Sequence, residues 1–322
     1  MIDHRLRVLR VVADRGTISA AAEHLGYTPS AVSHQMRTLA RDLGATLLVP
    51  DGRRVRLTTA ATTLLSRADD LFAAWEEIRA EVQATDDSGT GRLRLAGFST
   101  AASALLPHVA ARVMEAFPRS VVRIVEADPE VCFEMLTADQ VDLAVVVATD
   151  VLPPTSDPRF EQHPLMSDSL DLLLPVGHRL ADRPWVSLGE AAGERWIMDR
   201  PGRPHHTMVA NACAAAGFTP QQVHEVVEWD TGAALVASGF GVALVPRLAR
   251  LPADELLVRV PLRGEATPVR HLRTSVRRGT SGQPEIAMAL EHLRELADEI
   301  TRRDLPGPLP LPVDGESTPS GG

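Results

Sequence analysis

Every side-chain cation of this 322-residue chain other than histidine is an arginine, because the sequence contains no lysine. A guanidinium presents a planar fork of donors that matches phosphate, carboxylate or guanine edges, so arginines beside small polar residues mark where recognition chemistry can sit. Two such groups are present. In the first, Thr28, Pro29, Ser30, Ser33, His34 and Arg37 form a short, polar, partly cationic series, and Arg53 and Arg54 follow the Asp51-Gly52 turn signal. Short polar side chains can reach base edges and arginines can reach phosphates, where bulky apolar groups could do neither. The second group joins Ser99, Thr100, Val147, Thr149 and Thr231 to the loop DRPGRPH, which carries Arg200, Arg203 and His205. Hydroxyls at a helix start with arginines opposite suit a small anion, most simply a carboxylate. Plain N-capping by Ser99 or Thr100 and solvated loop charge at Arg200 and Arg203 are the rival readings.

Other chemistry finds less support. Gly97-Phe98-Ser99-Thr100-Ala101 approaches a nucleophile elbow but ends in alanine, and no Ser, Asp, His order with hydrolase context follows, so no catalytic residue is assigned. Gly239-Phe240-Gly241 is too short for a dinucleotide fingerprint, a lysine-free chain has no phosphate-loop lysine, and no cofactor is expected. His205-His206 with Cys213 lacks a third ligand at a workable spacing, so no metal is assigned. Cys132 and Cys213 are too few for a disulfide framework and read as buried thiols. No stretch approaches the ~20 apolar residues that span a bilayer, and MIDHRLRVLR lacks a signal-peptide core. The expected compartment is the cytoplasm, with no membrane partner.

The first group needs elements that hold it outward. From Thr17 to Leu43, the residues Ala21, Leu25, Val32, Met36, Leu39 and Leu43 recur at three, four or seven, the spacing of one buried helical stripe crossed by a turn. Gly26 can close the first helix in the left-handed conformation, and Thr28 with Pro29 can open the second. Leu6, Leu9, Arg10 and Ala13 place a supporting helix before them, and Leu47 to Leu57 reads as a hairpin that lifts Arg53, Arg54 and Arg56. A helix, turn and helix can also be packing alone. Next, Ala61, Leu64, Ala68, Leu71, Trp75, Ile78 and Val82 alternate steps of three and four, a heptad seam that could pair two chains through Leu64, Leu71, Trp75 and Ile78, or be one buried face. The TDDSGTG run after it supplies a hinge.

For the second group, strands at 92–96, 121–127 and 143–147 alternate with helices at 102–117 and 130–137, a βαβαβ order that implies parallel strands. A second unit starts near Leu165, with strands at 171–175, 195–198, 223–227 and 242–245 and helices at 206–216 and 232–238. A strand at 271–277 and a helix at 284–302 return to the first unit, so the chain crosses between two lobes twice. Residues 303–322, rich in Pro, Gly and Ser, read as a disordered tail.

Net charge supports the division. The whole chain carries −9, but residues 1–60 hold nine arginines against five acids, +4, and the remainder twenty-four against thirty-seven, −13, so the positive field is confined to the first segment.

Residues 1–61 resemble the winged helix-turn-helix of the LysR-type transcriptional regulators through Ala21-Ala22-Glu23-His24-Leu25, Ala31-Val32-Ser33-His34-Gln35, Leu39, Leu43-Gly44, Gly52-Arg53-Arg54 and Leu57-Thr58. Here His34 stands where that family often has arginine, Pro29 replaces a common glutamine, and Leu48 with Pro50 replaces a Phe and a basic residue. The resemblance continues to about residue 300 through Gly91-Arg92-Leu93, Leu105-Leu106-Pro107, Asp142-Leu143-Ala144-Val145, Ala216-Gly217-Phe218 and the run from Val236 to Pro246. It implies an α/β fold with an N-terminal winged helix-turn-helix (1–60), a linker helix and hinge (61–88) that pairs chains, and a two-lobed α/β effector domain (89–302) similar to periplasmic solute-binding proteins. Lobe I is 91–164 with 269–302, and lobe II is 165–268. The implied partners are an operator in double-stranded DNA, a small-molecule effector between the lobes, a second copy as homodimer and then homotetramer, and RNA polymerase. A solute-binding or hydrolytic α/β protein with an accessory helix-turn-helix, and a regulator whose signal is a protein partner, are the competing classes.

Overall fold

The computed structural model describes residues 3–85, 91–252, 255–264 and 267–304. Helix α1 (Arg5–Arg15) buries Leu6, Val8, Leu9, Val11 and Val12 against Ala21 and Ala22 of α2 (Ile18–Leu25) and Val32, Met36 and Leu39 of α3 (Pro29–Asp42). Thr17 Oγ1 accepts the Ala20 N–H at 3.1 Å and Thr28 Oγ1 the Ala31 N–H at 3.2 Å, so each helix opens on a threonine cap. Gly26 closes α2 at φ 67°, the left-handed conformation expected of it. The predicted stripe is the core of this head except at Leu43, which is exposed: α3 ends at Asp42 and the chain turns away through Gly44, so helical spacing no longer aims position 43 inward. Strands β1 (Leu48–Asp51) and β2 (Arg54–Leu57) form the wing, and pairing of Asp51 with Arg54 makes Gly52-Arg53 the turn, one residue later than the sequence signal suggests.

Helix α4 (Thr59–Ala84) follows without a break. Its Ala61, Leu65 and Ala68 join the core of the head, with Leu64 and Phe72 packed partly against it.

The rest of the chain is a two-lobed α/β unit. In order come β3 (Arg92–Gly97), α5 (Ser99–Ala104), α6 (Leu106–Ala116), β4 (Val121–Glu126), α7 (Pro129–Thr137), β5 (Leu143–Val147) and β6 (Phe160–Pro175). Then follow β7 (Arg195–Met198), α8 (Pro204–Ala215), β8 (Gln221–Glu225), α9 (Trp229–Ala237), β9 (Ala243–Pro246), β10 (Leu257–Pro261), β11 (Val269–Arg277) and α10 (Pro284–Asp304). β3 pairs in parallel with both β4 and β5, as the alternation of strands and helices predicts. The single helix predicted over 102–117 is two, because Pro107 lies in the first turn of α6 and cannot carry a helical hydrogen bond through from α5.

The larger difference is β6. Instead of a strand starting near 171, one 16-residue strand pairs with β11 through its first half and with β9 and β10 through its second, so a single strand belongs to both lobes. Pro164 masks this in the sequence, and a register shift between Leu272 and Arg273 lets the ladder pass it. Strand β10 is absent from the sequence reading, since five residues ending in proline cannot be told from loop by periodicity. β8 lies two residues earlier than the strand predicted over 223–227. Leu93, Leu95, Leu105, Leu106 and Leu143 anchor the core of lobe I, and Trp196 with Leu170, Leu172 and Leu174 that of lobe II. Cys132 and Cys213 are buried and free, and burial pushes their thiols up to about 12 and about 11. Hinge residues 86–90 and tail residues 305–322 lie outside the described residues, while Arg303 and Asp304 still belong to α10.

Head and linker rest on lobe I. Arg7 pairs with Asp139 at 2.7 Å, Arg15 with Glu134, Asp14 with Arg159 at 3.4 Å and Asp70 with Arg278 at 2.6 Å. Burial works to raise the Asp139 carboxyl, but Arg277 and Arg7 outweigh it and hold the group down to about 2. Along α4, Ala73, Glu76 and Ala80 are buried. Glu76 accepts from the Gln283 amide at 3.1 Å, and Gly279, at φ 86°, comes so close that a Cβ there would lie 2.3 Å from the Ala73 carbonyl oxygen. Only glycine admits both that conformation and that approach.

Candidate nucleic-acid interface and inter-lobe cleft

Capping by Thr28 fixes the start of α3, and packing of Val32, Met36 and Leu39 fixes its rotation. What remains outward is the predicted face: Thr28, Pro29, Ser30, His34 and Arg37 are exposed and Ser33 is half-buried. Beside it a groove of about 390 Å³ separates α3 from the wing, with Ser33 and Arg37 on one wall and Val49 and Pro50 on the other. Arg53 and Arg54 are exposed at the wing tip, and neither they nor Arg37 has an ion-pair partner among the described residues. By contrast, Arg5, Arg7, Arg10 and Arg15 are all paired with acids. The unpaired guanidiniums of the head are thus gathered beside the outward face of α3 and on the wing, an arrangement that can grip phosphates while short side chains meet base edges.

The second site is a cleft of about 480 Å³ between the lobes. Of the residues predicted for it, Ser99, Val147, Thr149, Arg203 and His205 line it. Three do not. Thr100 is buried beneath it, with its Oγ1 accepting from Arg270 Nη2 at 3.0 Å, while Arg200 and Thr231 are exposed and outside the lining. The alternation along β11 explains Thr100, because Arg270 falls on the buried face with Leu272, Thr274 and Val276 and needs acceptors there. Arg200 and Thr231 come after the chain has turned out of the cleft, at a loop and within the first turn of α9.

Arg270 itself, 6% exposed, is held by Asp168, 2% exposed, through Nε at 3.2 Å, and lies over the Phe98 ring at 5.1 Å. Burial lowers its pKa against the pull of Asp168, whose other oxygen accepts from the Leu248 N–H at 3.1 Å. This pair is hidden in the sequence, where the last strand is expected to start at His271. Starting it at Val269 puts an arginine among inward positions, the signal of a buried charge. Arg203 spans the cleft, donating to Asp199 at 3.0 Å within its own lobe and lying 3.5 Å from Asp128 of the other. The arginines expected to meet a carboxylate are therefore engaged with acids or lie outside.

Helices α7, α8 and α9 all begin here, with N-caps Asp128, Arg203 and Glu228 in the lining and none capping through its side chain. His205 stacks edge-on to Trp229 at 4.9 Å. Burial first, then the charge of Arg270, push its pKa down to about 4, so the ring is neutral near pH 7. Among the described residues, its Nδ1 and the Thr149 Oγ1 are buried and have no hydrogen-bond partner, and both residues line the cleft.

Comparison with known proteins agrees with both halves. A model described as "Bacterial regulatory helix-turn-helix protein, lysR family" matches residues 4–62, and one described as "LysR substrate binding domain" matches residues 86–298. The Small neutral protease regulatory protein of Streptomyces coelicolor is 31% identical over 83% of this chain and 84% of its own length. The Transcriptional dual regulator GltC of Bacillus subtilis is 26% identical, covering 75% and 79%. In fold, a full-length OxyR variant from Pseudomonas aeruginosa superposes with a TM-score of 0.62 at 20% identity, covering 92% of this chain and 94% of that one.

Proposed function

Because the chain belongs to the LysR family of transcriptional regulators, which are DNA-binding proteins with an effector domain and not enzymes, we propose that α3 reads operator bases through Ser30, Ser33, His34 and Arg37 while Arg53 and Arg54 clamp phosphates. Thr28 and Pro29 set the angle at which α3 enters the groove. The observation that carries this is the set of unpaired arginines on one face of the head. Head (1–60), linker (61–88) and effector domain (89–302) act as separate parts, with the cleft as the sensor. A small molecule there acts only if it binds one arrangement of the lobes better than the other, since equal affinity shifts nothing.

The operating unit in this reading is a homodimer, and then a tetramer, built on α4. Its Leu71 and Ile78 are each 51% exposed and Trp75 39%, a stripe left uncovered by its own chain although the opposite face of the helix is buried. Leu64, turned toward the head, contributes less. No described helix is long and apolar enough to cross a membrane, and we place the protein in the cytoplasm with its operator, RNA polymerase being the further partner. Gel-shift titration of the DNA upstream of its own gene, with and without candidate metabolites, tests the reading. Retardation that responds to a metabolite supports it, and a chain that retards no DNA would remove it.

A further inference from the structure

The charge inside the cleft points to the ligand. Glu126, Asp128, Asp199 and Glu228 line it against two arginines, Arg203 and Arg270. Both arginines are taken: Arg203 by Asp199 and Asp128, Arg270 by Asp168. That leaves Glu126 and Glu228 without an ion-pair partner among the described residues. The N-termini of α5, α7, α8 and α9 offset this charge by only about half a unit each and pair neither Glu126 nor Glu228 through a side chain. Among the described residues, a simple carboxylate entering this cleft would meet two uncompensated acids and no free cation.

Resting on the reading of the cleft as the effector site, we propose that the effector carries a protonated amine that Glu126 and Glu228 bind from opposite lobes. Glu126 ends β4 in lobe I, and Glu228 precedes α9 in lobe II, next to Trp229, whose ring also lines the cleft. An aromatic face beside carboxylates is a favourable seat for an ammonium group. The device is also a switch. Unoccupied, two like charges face a shared space from different lobes and repel, whereas a cation between them attracts both, so it binds best where the lobes are closest. Thr149 Oγ1 and His205 Nδ1, still unpartnered, hold the ligand's polar remainder. The amine can belong to a plain alkylamine or to an amino acid, whose carboxylate the helix N-termini would accept.

The test is calorimetry and thermal shift on the full chain with butylamine, putrescine, leucine and lysine beside the amine-free butyrate and isocaproate. At least one amine should bind, and Glu126→Gln and Glu228→Gln should each weaken it by about tenfold while leaving the melting temperature of the unliganded protein unchanged, since both side chains are exposed. Binding by butylamine or putrescine identifies an alkylamine site, and binding by leucine or lysine alone an amino-acid site. If the amines are silent, or bind both variants as well as the wild type, the proposal is overturned. Butyrate or isocaproate binding in their place would overturn the amine yet keep the cleft as sensor, and silence from all six compounds would count against both.

Discussion

Thr100 shows how far a residue's type and position can mislead about its role. A hydroxyl three residues past a strand end, at a helix start, suggests a ligand donor, and its neighbour Ser99 does line the cleft. Yet Thr100 is spent on Arg270, a residue 170 positions away that no local pattern could pair with it. Thr100→Val should therefore act through folding: one buried guanidinium N–H loses its acceptor, at a cost of about 1–3 kcal/mol, read as a lower denaturant midpoint. An unchanged midpoint would mean that Asp168 alone satisfies Arg270. His205 was legible as a cleft residue, but its protonation was not, since that depends on burial and on Arg270. With a folded pKa of about 4 against an ordinary 6.5, the unfolded chain binds the extra proton between those values. Stability owed to the neutral ring is complete above 6.5 and is lost as the pH falls toward 4. Chemical denaturation across that window should show the wild type losing stability relative to His205→Gln, and a constant difference between the two would contradict the assignment.

At the scale of elements, what was readable was whatever rests on local spacing: the two helices of the head with their threonine caps, the wing, the parallel strands of lobe I and the 26-residue α4. What was hidden depends on partners distant in sequence. β6 reads as a short strand over 171–175 and is 16 residues long because β11, β9 and β10 supply its ladder. The heptad seam of α4 was visible, but not that Ala61 and Ala68 enter the core of the head while the stripe from Leu71 onward is left exposed, the surface we propose for a second chain. Exposed on a monomer, that stripe places large apolar side chains in water, and pairing removes the cost. Leu71→Arg should shift the protein from dimer to monomer in sedimentation without unfolding it, because position 71 is already half exposed. A variant that still sediments as a dimer would show that chains meet elsewhere.

Across the whole molecule, charge is sorted. The segregation of +4 in residues 1–60 from −13 in the remainder was plain in the sequence, but which arginines it leaves free was not. Arg7 and Arg15 bridge to Asp139 and Glu134 of lobe I, more than a hundred residues away, and so bind the head to its own acidic partner. Among the described residues, Arg37, Arg53 and Arg54 remain unpaired and outward. The acidic body thus orients the basic head as well as balancing it, and the positive charge left unpaired on the head's outward face comes from a few residues.

Those residues offer the most direct test of the account, which is the salt dependence of binding to the upstream DNA, followed by fluorescence anisotropy for the wild type and for a variant with Arg53→Ala and Arg54→Ala. If both guanidiniums sit on phosphates, the slope of log affinity against log salt should flatten by about two, close to one unit per lost contact. Upstream and scrambled sequences should weaken by the same factor. An unchanged slope, or a loss confined to the upstream sequence, would show that the wing does not grip the backbone and that the head engages DNA in some other way.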